Sequence, residues 1–221
     1  MDFDKEYFSG HLKNVVGSFT QKCLTKNVRW YSGWLRYLHH LGALSLHDPC
    51  SVLEVGCSIG AVSHLLNQNG FKVVATDVSS YAVDKARNLS PFIEFRVWDC
   101  HEEFMPKKQF DAVIAFEVVE HLSDPEKAMR NICSVLCDKG KFIFSTPFPC
   151  PKAYDDPTHV NVRDPSLWEE ALLDNGFRSA EFFHVSFLPM LYRWGAFFSR
   201  VIPIGCNMRG INSTMIFIAV K

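Results

Sequence analysis

Apolar and polar positions along the chain fall into alternating blocks that predict an α/β fold. Val52, Leu53 and Val55 form a short apolar run suited to a buried parallel strand. Gly56 and Gly60 then bracket a turn that opens onto a helix over Ala61 to Asn69, and Gly70 supplies its stop. A second run, Phe71 to Thr76, ends in Asp77, and Ser79 or Ser80 caps a helix reaching about Asn88. Phe92 to Trp98 predicts a third strand, ending in Asp99, and Phe110 to Phe116 a fourth. Ser123-Asp124-Pro125 starts a helix to about Leu136, after which Asp138-Lys139-Gly140 turns the chain into a fifth strand, Lys141 to Ser145. This alternation predicts a three-layer, doubly wound, mostly parallel sheet whose ligand lies at the carboxyl ends of the strands.

The flanks complete the picture. Residues 1–48 mix aromatics with basic residues, and Val28, Tyr31, Leu35 and Leu38 fall at helical spacing, which predicts an N-terminal helical cap ahead of a main domain over 49–221. Packing on the sheet edge and covering a cofactor mouth, with Tyr7 and Phe8 as candidates, are both open to that cap. Beyond a helix over Pro165 to Asn175, Phe177 to Phe187 and Ser213 to Val220 read as two strands of a C-terminal antiparallel hairpin. The insertion between them, 188–212, reads as an amphipathic helix. At helical spacing Leu191, Trp194, Phe198, Val201 and Ile202 gather on one side, with Arg193 and Arg200 opposite. Three roles suit it: packing apolar side down on the domain, closing as a lid, or resting on a membrane as a peripheral contact.

Composition narrows the class. At 221 residues and 48% hydrophobic, the chain holds one α/β domain with a substantial core and room for a small appendage. A net charge of −1 gives no global attraction to nucleic acid, so none is expected as a partner, and RNA modification would require a local basic patch. The eight cysteines contain no C-x-x-C pair, and Cys133 and Cys137 are expected to share a helix, so reduced thiols in a cytoplasmic protein are expected. The start, MDFDKEYFSG, is polar and acidic, unlike a basic, apolar signal sequence, and no run approaches the apolar length of a spanning helix.

The chemistry sits at the strand ends. The glycine turn leaves backbone N–H groups at a helix N-terminus and lets a nucleotide-like cofactor approach the main chain. Its G-x-x-x-G spacing, with Ser58 where a middle glycine would stand, differs from the G-x-G-x-x-G of dinucleotide binders, and no Tyr-x-x-x-Lys pair follows the fourth strand. Both features weigh against a nicotinamide-dependent oxidoreductase. Asp77, 17 positions after Gly60, is placed to accept bonds from ribose hydroxyls, and its other expected role is to cap the helix that follows.

The series VLEVGCSIG, Asp77, WDC at 98–100, FDAVIAFEVVEHL at 110–122 and GKFIFSTP at 140–147 resembles the successive motifs of class I S-adenosylmethionine-dependent methyltransferases, which share a Rossmann-like fold. It is most similar to the small-molecule branch that includes ubiquinone-biosynthesis O-methyltransferases. The resemblance implies S-adenosylmethionine as cofactor and a small or lipid-like molecule as acceptor, methylated at oxygen. Glu54, Gly56, Cys57 and Gly60 would surround the methionine part, and Asp77 with Val78 would hold the ribose. Asp99 and Cys100 would meet the adenine, and Phe116 and Glu117 would lie beside the sulfonium. A methyltransferase-like module that binds the cofactor without turnover carries the same motifs.

Methyl transfer from a sulfonium is an in-line displacement, so alignment and exclusion of water dominate, and an acid–base group is needed only for a poorly ionised hydroxyl. His121, after the fourth strand, and His159, in THVNV, are the catalytic candidates. Glu117-x-x-Glu120-His121, with His159 as a fourth donor, is also similar to the arrangement in ubiquinone O-methyltransferases and small-RNA 3′-terminal 2′-O-methyltransferases, where a Mg²⁺-type divalent cation positions acceptor hydroxyls.

Overall fold

The computed structural model describes residue 7 and residues 19–187, 191–205 and 212–221. Eight strands make one mixed α/β sheet, parallel in its early pairings and antiparallel toward the C-terminus. The chain divides into two compact units: Met1–Asp99 with Met190–Arg200, and Cys100–Pro189 with Val201–Lys221.

In the first unit the strands β1 (Ser51–Val55), β2 (Lys72–Asp77) and β3 (Glu94–Val97) pair in parallel in the order β3-β2-β1. Helices α1 (Gln21–His40), α2 (Ala61–Gln68) and α3 (Ser80–Leu89) belong to the same unit. Thr20 caps α1 by accepting from the Cys23 amide, and the helix buries Leu24, Trp34, Leu35 and Leu38. Leu24 joins Ile59 and Ala61 in one apolar cluster, so the N-terminal helix packs by its apolar face. Cys57, Ala75, Val83, Ala86, Ile93 and Phe95 form a second cluster beneath the glycine turn. Phe8, a candidate for covering the cofactor, lies outside the described residues.

In the second unit β4 (Phe110–Phe116) and β5 (Leu136–Thr146) pair in parallel. β8 (Asn212–Val220) then joins β5 and β6 (Ser179–Phe187) antiparallel, giving the expected hairpin, and β7 (Val201–Ile202) adds a short antiparallel edge. Helix α4 (Pro125–Val135) begins at Asp124, whose carboxylate accepts from the Lys127 amide. Helix α5 (Pro165–Asp174) buries Trp168 against Phe144, and Phe144 stacks on Phe217 at 4.8 Å between centroids.

Two expectations need correction. β5 begins at Leu136, well before Lys141, because Leu136 is fully buried and pairs with Phe110. Asp138-Lys139-Gly140 is therefore a kink within the strand, with Lys139 at φ +62°, and Cys137 lies on β5 while Cys133 lies on α4. The amphipathic helix expected within 188–212 does not form over its described part. Two short 3₁₀ turns, Leu191–Trp194 and Ala196–Phe198, are split by Gly195 at φ +155°, which cannot continue a helix, and Val201 and Ile202 belong to a strand. Residues 188–190 and 206–211 of that insertion lie outside the described residues. The seven cysteines among the described residues are free thiols. Among the same residues no helix is long and apolar enough to cross a membrane.

Candidate active site

In the first unit the site is built on the turn between β1 and α2. Gly56, Ser58 and Gly60 all have positive φ, +74°, +46° and +77°, so the main chain reverses tightly. A Cβ on Gly60 would come within 3.0 Å of the Phe95 ring and 3.4 Å of Ala86, so glycine is required for space as well as for conformation. Ser58 holds its strained conformation because Asp77 reaches it. The Asp77 carboxylate accepts from the Ser58 amide at 2.8 Å and from the Ser79 amide at 2.9 Å, tying the turn to the start of α3. Asp77 is nearly buried, and that burial raises its pKa, while the two amide bonds pull it back. Ser79 in turn caps α3 through Ala82.

Glu54, at the end of β1, is the acid beneath the turn. Gly60 has no side chain with which to cap α2, and below it the Glu54 carboxyl accepts from the hydroxyl of Ser63 in the first turn of the helix. It is fully buried, and desolvation pushes its pKa from 4.5 up to about 8 against the opposing pull of Ser63. A carboxyl raised in the folded state contributes stability that is present below its unfolded pKa and lost as pH rises toward the folded one. Unfolding stability is therefore expected to fall between about pH 4.5 and about pH 8 by up to about 1.4 kcal/mol per pH unit. Glu54→Gln should flatten that slope, and urea unfolding of both proteins across this range checks it. A slope unchanged in the variant would remove Glu54 as its source.

The other expected cofactor residues are placed as follows. Cys57 is buried, donates its amide to the Thr76 carbonyl, and has its thiol pKa pushed up by burial. Val78 is exposed beside Asp77, and Asp99 is exposed at the end of the first unit. In the second unit Cys100 is buried with its carbonyl held by the Asn131 amide, and Phe116 is half-buried at the end of β4.

Glu117 follows with φ +55°. Its amide donates to Ser145, and its carboxylate accepts from the Ser145 hydroxyl at 2.7 Å, with Thr214 Oγ1 at 3.0 Å. A short 3₁₀ turn, Val119–His121, comes next. Glu120 is fully buried there, and neither of its carboxyl oxygens meets a donor at hydrogen-bond geometry among the described residues, the neighbouring Thr146 hydroxyl being likewise unpaired. Burial, with the charge of Glu117 second, pushes its pKa well above the usual carboxylate range.

Beside Glu120 stand the two histidines, with ring centroids 4.8 Å apart. His159 Nδ1 lies 2.7 Å from the Ala153 carbonyl and His121 Nδ1 lies 3.1 Å from the Thr158 carbonyl. A carbonyl only accepts, so Nδ1 carries the proton in both neutral rings and Nε2 carries the lone pair. Donor atoms of Glu120, His121 and His159 all lie within 4.8 Å of one another. Asp156 orients the far side: it accepts from the Thr158 amide and hydroxyl, and its Oδ2 is 3.9 Å from His159 Nε2. The structure thus brings Glu120, His121 and His159 together and turns the Glu117 carboxylate toward Ser145 and Thr214. Two supporting groups went unread in the sequence, Ser63 and the Asp156–Thr158 pair. Their only signals were a serine in the first turn after a strand-end glutamate and the Asp-x-Thr spacing before His159.

The buried Glu120 carboxyl next to two imidazole lone pairs, each ring held by its opposite nitrogen, becomes on losing its proton a donor set suited to a divalent cation. The glycine turn with its buried acids is equally suited to the amino acid and ribose of a nucleoside cofactor.

Comparison with known proteins identifies the family and the fold. A family model described as "Methyltransferase domain" matches residues 27–189. A ubiquinone biosynthesis O-methyltransferase from Coxiella burnetii is 32% identical over 99 residues, which are 43% of this chain and 42% of that protein, so the match spans less than half of the curated relative. Among solved structures, a SAM-dependent methyltransferase from Archaeoglobus fulgidus aligns with a TM-score of 0.67 at 18% identity, covering 97% of this chain and all of the other. Magnesium protoporphyrin IX methyltransferase from Synechocystis PCC 6803, with bound SAH, aligns with a TM-score of 0.60 at 16% identity, covering 98% and 97%.

Proposed function

Since the chain belongs to the methyltransferase-domain family, we propose that it transfers the methyl group of S-adenosylmethionine to a hydroxyl oxygen of a small or lipid-like acceptor, with Glu120, His121 and His159 holding a divalent cation of the Mg²⁺ type. The observation that carries this reading is the buried Glu120 carboxyl left unsatisfied beside two Nε2 lone pairs. Burying such a group without a partner costs several kcal/mol, and a protein retains it where a ligand compensates.

The residues divide the work. The turn at Gly56 to Gly60 gives its main chain to the methionine part, with Glu54 and Cys57 fixing the turn from below. Asp77 and Val78 meet the ribose, Asp99 and Cys100 the adenine, and Phe116 and Glu117 the region of the sulfonium. A bound cation would lower the pKa of an acceptor hydroxyl and fix its oxygen. His121 and His159 are held by Thr158 and Ala153 so that Nε2 stays the basic atom, whether it binds the ion or takes the hydroxyl proton.

The test uses the purified protein with methyl-labelled S-adenosylmethionine and a panel of phenols, catechols and extracted lipids. Label should enter a hydroxyl-bearing acceptor, fall by about tenfold or more with chelator, and return with added Mg²⁺. Chelator-insensitive turnover would dismiss the cation. Tight SAH binding with no labelled acceptor would favour a silent cofactor-binding module.

A further inference from the structure

Helix α1 carries no Asp or Glu, and Lys22, Lys26 and Arg29 are all exposed on it. At about 100° per residue, Lys22, Lys26, Arg29, Gly33 and Arg36 share an arc of about 80°, so the basic residues form one stripe leading along the helix to Gly33. At Gly33 the stripe meets residues 191–200. A Cβ on Gly33 would come within 2.5 Å of the Ser199 hydroxyl and 2.9 Å of its main chain, so only glycine allows this approach. Ser199 is buried and donates to the Trp30 carbonyl at 2.5 Å. Arg36 donates to the carbonyls of Ala196 and Ser199 at 2.9 and 2.6 Å, and Tyr192 packs edge-on to Trp30.

These bonds fix which side of the segment faces outward. Trp194, Phe197 and Phe198 remain 77%, 68% and 43% exposed. Phe198 meets both other rings edge-on, each at an interplanar angle of 86°, and Arg200 lies over the Phe197 face at 4.5 Å. Arg193 and Arg200 add two more cations, and no acid occurs anywhere from Phe182 to Lys221. In a chain whose net charge is −1, this helix and segment therefore carry Lys22, Lys26, Arg29, Arg36, Arg193 and Arg200 with no acid in either.

We propose that the stripe Lys22, Lys26 and Arg29 of α1, together with the aromatic wedge Trp194, Phe197 and Phe198, is a docking surface for an anionic lipid bilayer. Aromatic rings held proud of the surface among arginines suit the headgroup level of a bilayer, where an amphipathic ring is wetted at one edge and sheltered at the other. Lysines and arginines next to them draw negatively charged headgroups. Single-stranded nucleic acid also pairs cations with aromatics, but it requires ring faces on which successive bases stack. Here the rings cross one another and the Phe197 face is already occupied by Arg200. The inference stands apart from the proposed methyl acceptor, because it concerns adsorption to a membrane and needs no turnover.

Sedimentation of the full chain with vesicles tests it. Binding to vesicles of equal parts phosphatidylglycerol and phosphatidylcholine should exceed binding to phosphatidylcholine alone by about tenfold or more, and should weaken as salt screens the headgroups. The triple variant Lys22→Glu, Lys26→Glu, Arg29→Glu should lose about tenfold or more of that binding. Trp194→Ser with Phe197→Ser should lower what remains at high salt, and thermal unfolding of both variants should match the parent because every substituted side chain is exposed. Equal binding to neutral and anionic vesicles, or full binding by the charge-reversed variant, would overturn the proposal. So would retention on a single-stranded RNA oligonucleotide without retention on anionic vesicles.

Discussion

Asp77→Ala should lower the affinity for S-adenosylhomocysteine by about 100-fold or more, as read by calorimetric titration. The carboxylate holds two amides, those of Ser58 and Ser79, and a hydrogen bond to a charged acceptor contributes about 1.5–3 kcal/mol. Ser58 occupies the left-handed region at φ +46°, which costs about 1–2 kcal/mol, and Asp77 is the side chain that holds its amide there. The turn would relax before any ribose contact is counted, and about 1.4 kcal/mol corresponds to each tenfold in affinity. Asp77→Asn sharpens the experiment. Its amide oxygen can still accept from one backbone group, so the variant should recover part of the folding stability while its affinity stays low. Wild-type affinity in Asp77→Ala would detach Asp77 from the cofactor altogether.

Glu120→Gln should move two quantities in opposite directions. Turnover in the presence of Mg²⁺ should fall by about 100-fold or more, since altering even the groups that orient a ligand costs 10–100-fold. Folding stability without cation should hold or rise, because the variant replaces an uncompensated buried carboxyl by a neutral group of the same shape. Wild type should gain about 2–3 kcal/mol of stability when the cation stands near a hundredfold above its Kd, and the variant should gain little. If Glu120 were only a packing residue, turnover and stability would fall together and the cation would stabilise both proteins alike.

How much of this could be read beforehand depended on how local each feature is. The turn at Gly56 to Gly60 and the acids Glu54 and Asp77 were legible because a strand, a positive-φ turn and a strand-end carboxylate leave short-range signatures. The hairpin of β6 and β8 was legible from its apolar runs. Glu120 was visible as a donor, whereas its surroundings were not, since they depend on its complete burial and on Asp156 and His159, which the fold brings in from after β4. The segment 191–200 was misread for a specific reason. A helical projection assumes the helix it displays, and Gly195 interrupts it. Gly33 carried a signal that went unused, because a glycine in the middle of an otherwise aromatic helix costs about 1 kcal/mol and calls for a close neighbour.

That neighbour bears on how the protein is made. Ser199 lies 169 positions from Trp30 and Ala196 lies 160 positions from Arg36, yet they belong to the same compact unit. On the ribosome, α1 and the first three strands emerge early, but the piece that fills the groove at Gly33 is synthesised only after the fifth helix and sixth strand. Contacts of such long sequence separation slow folding, and nascent α1 must wait with the groove at Gly33 unfilled until residues 191–200 have been released.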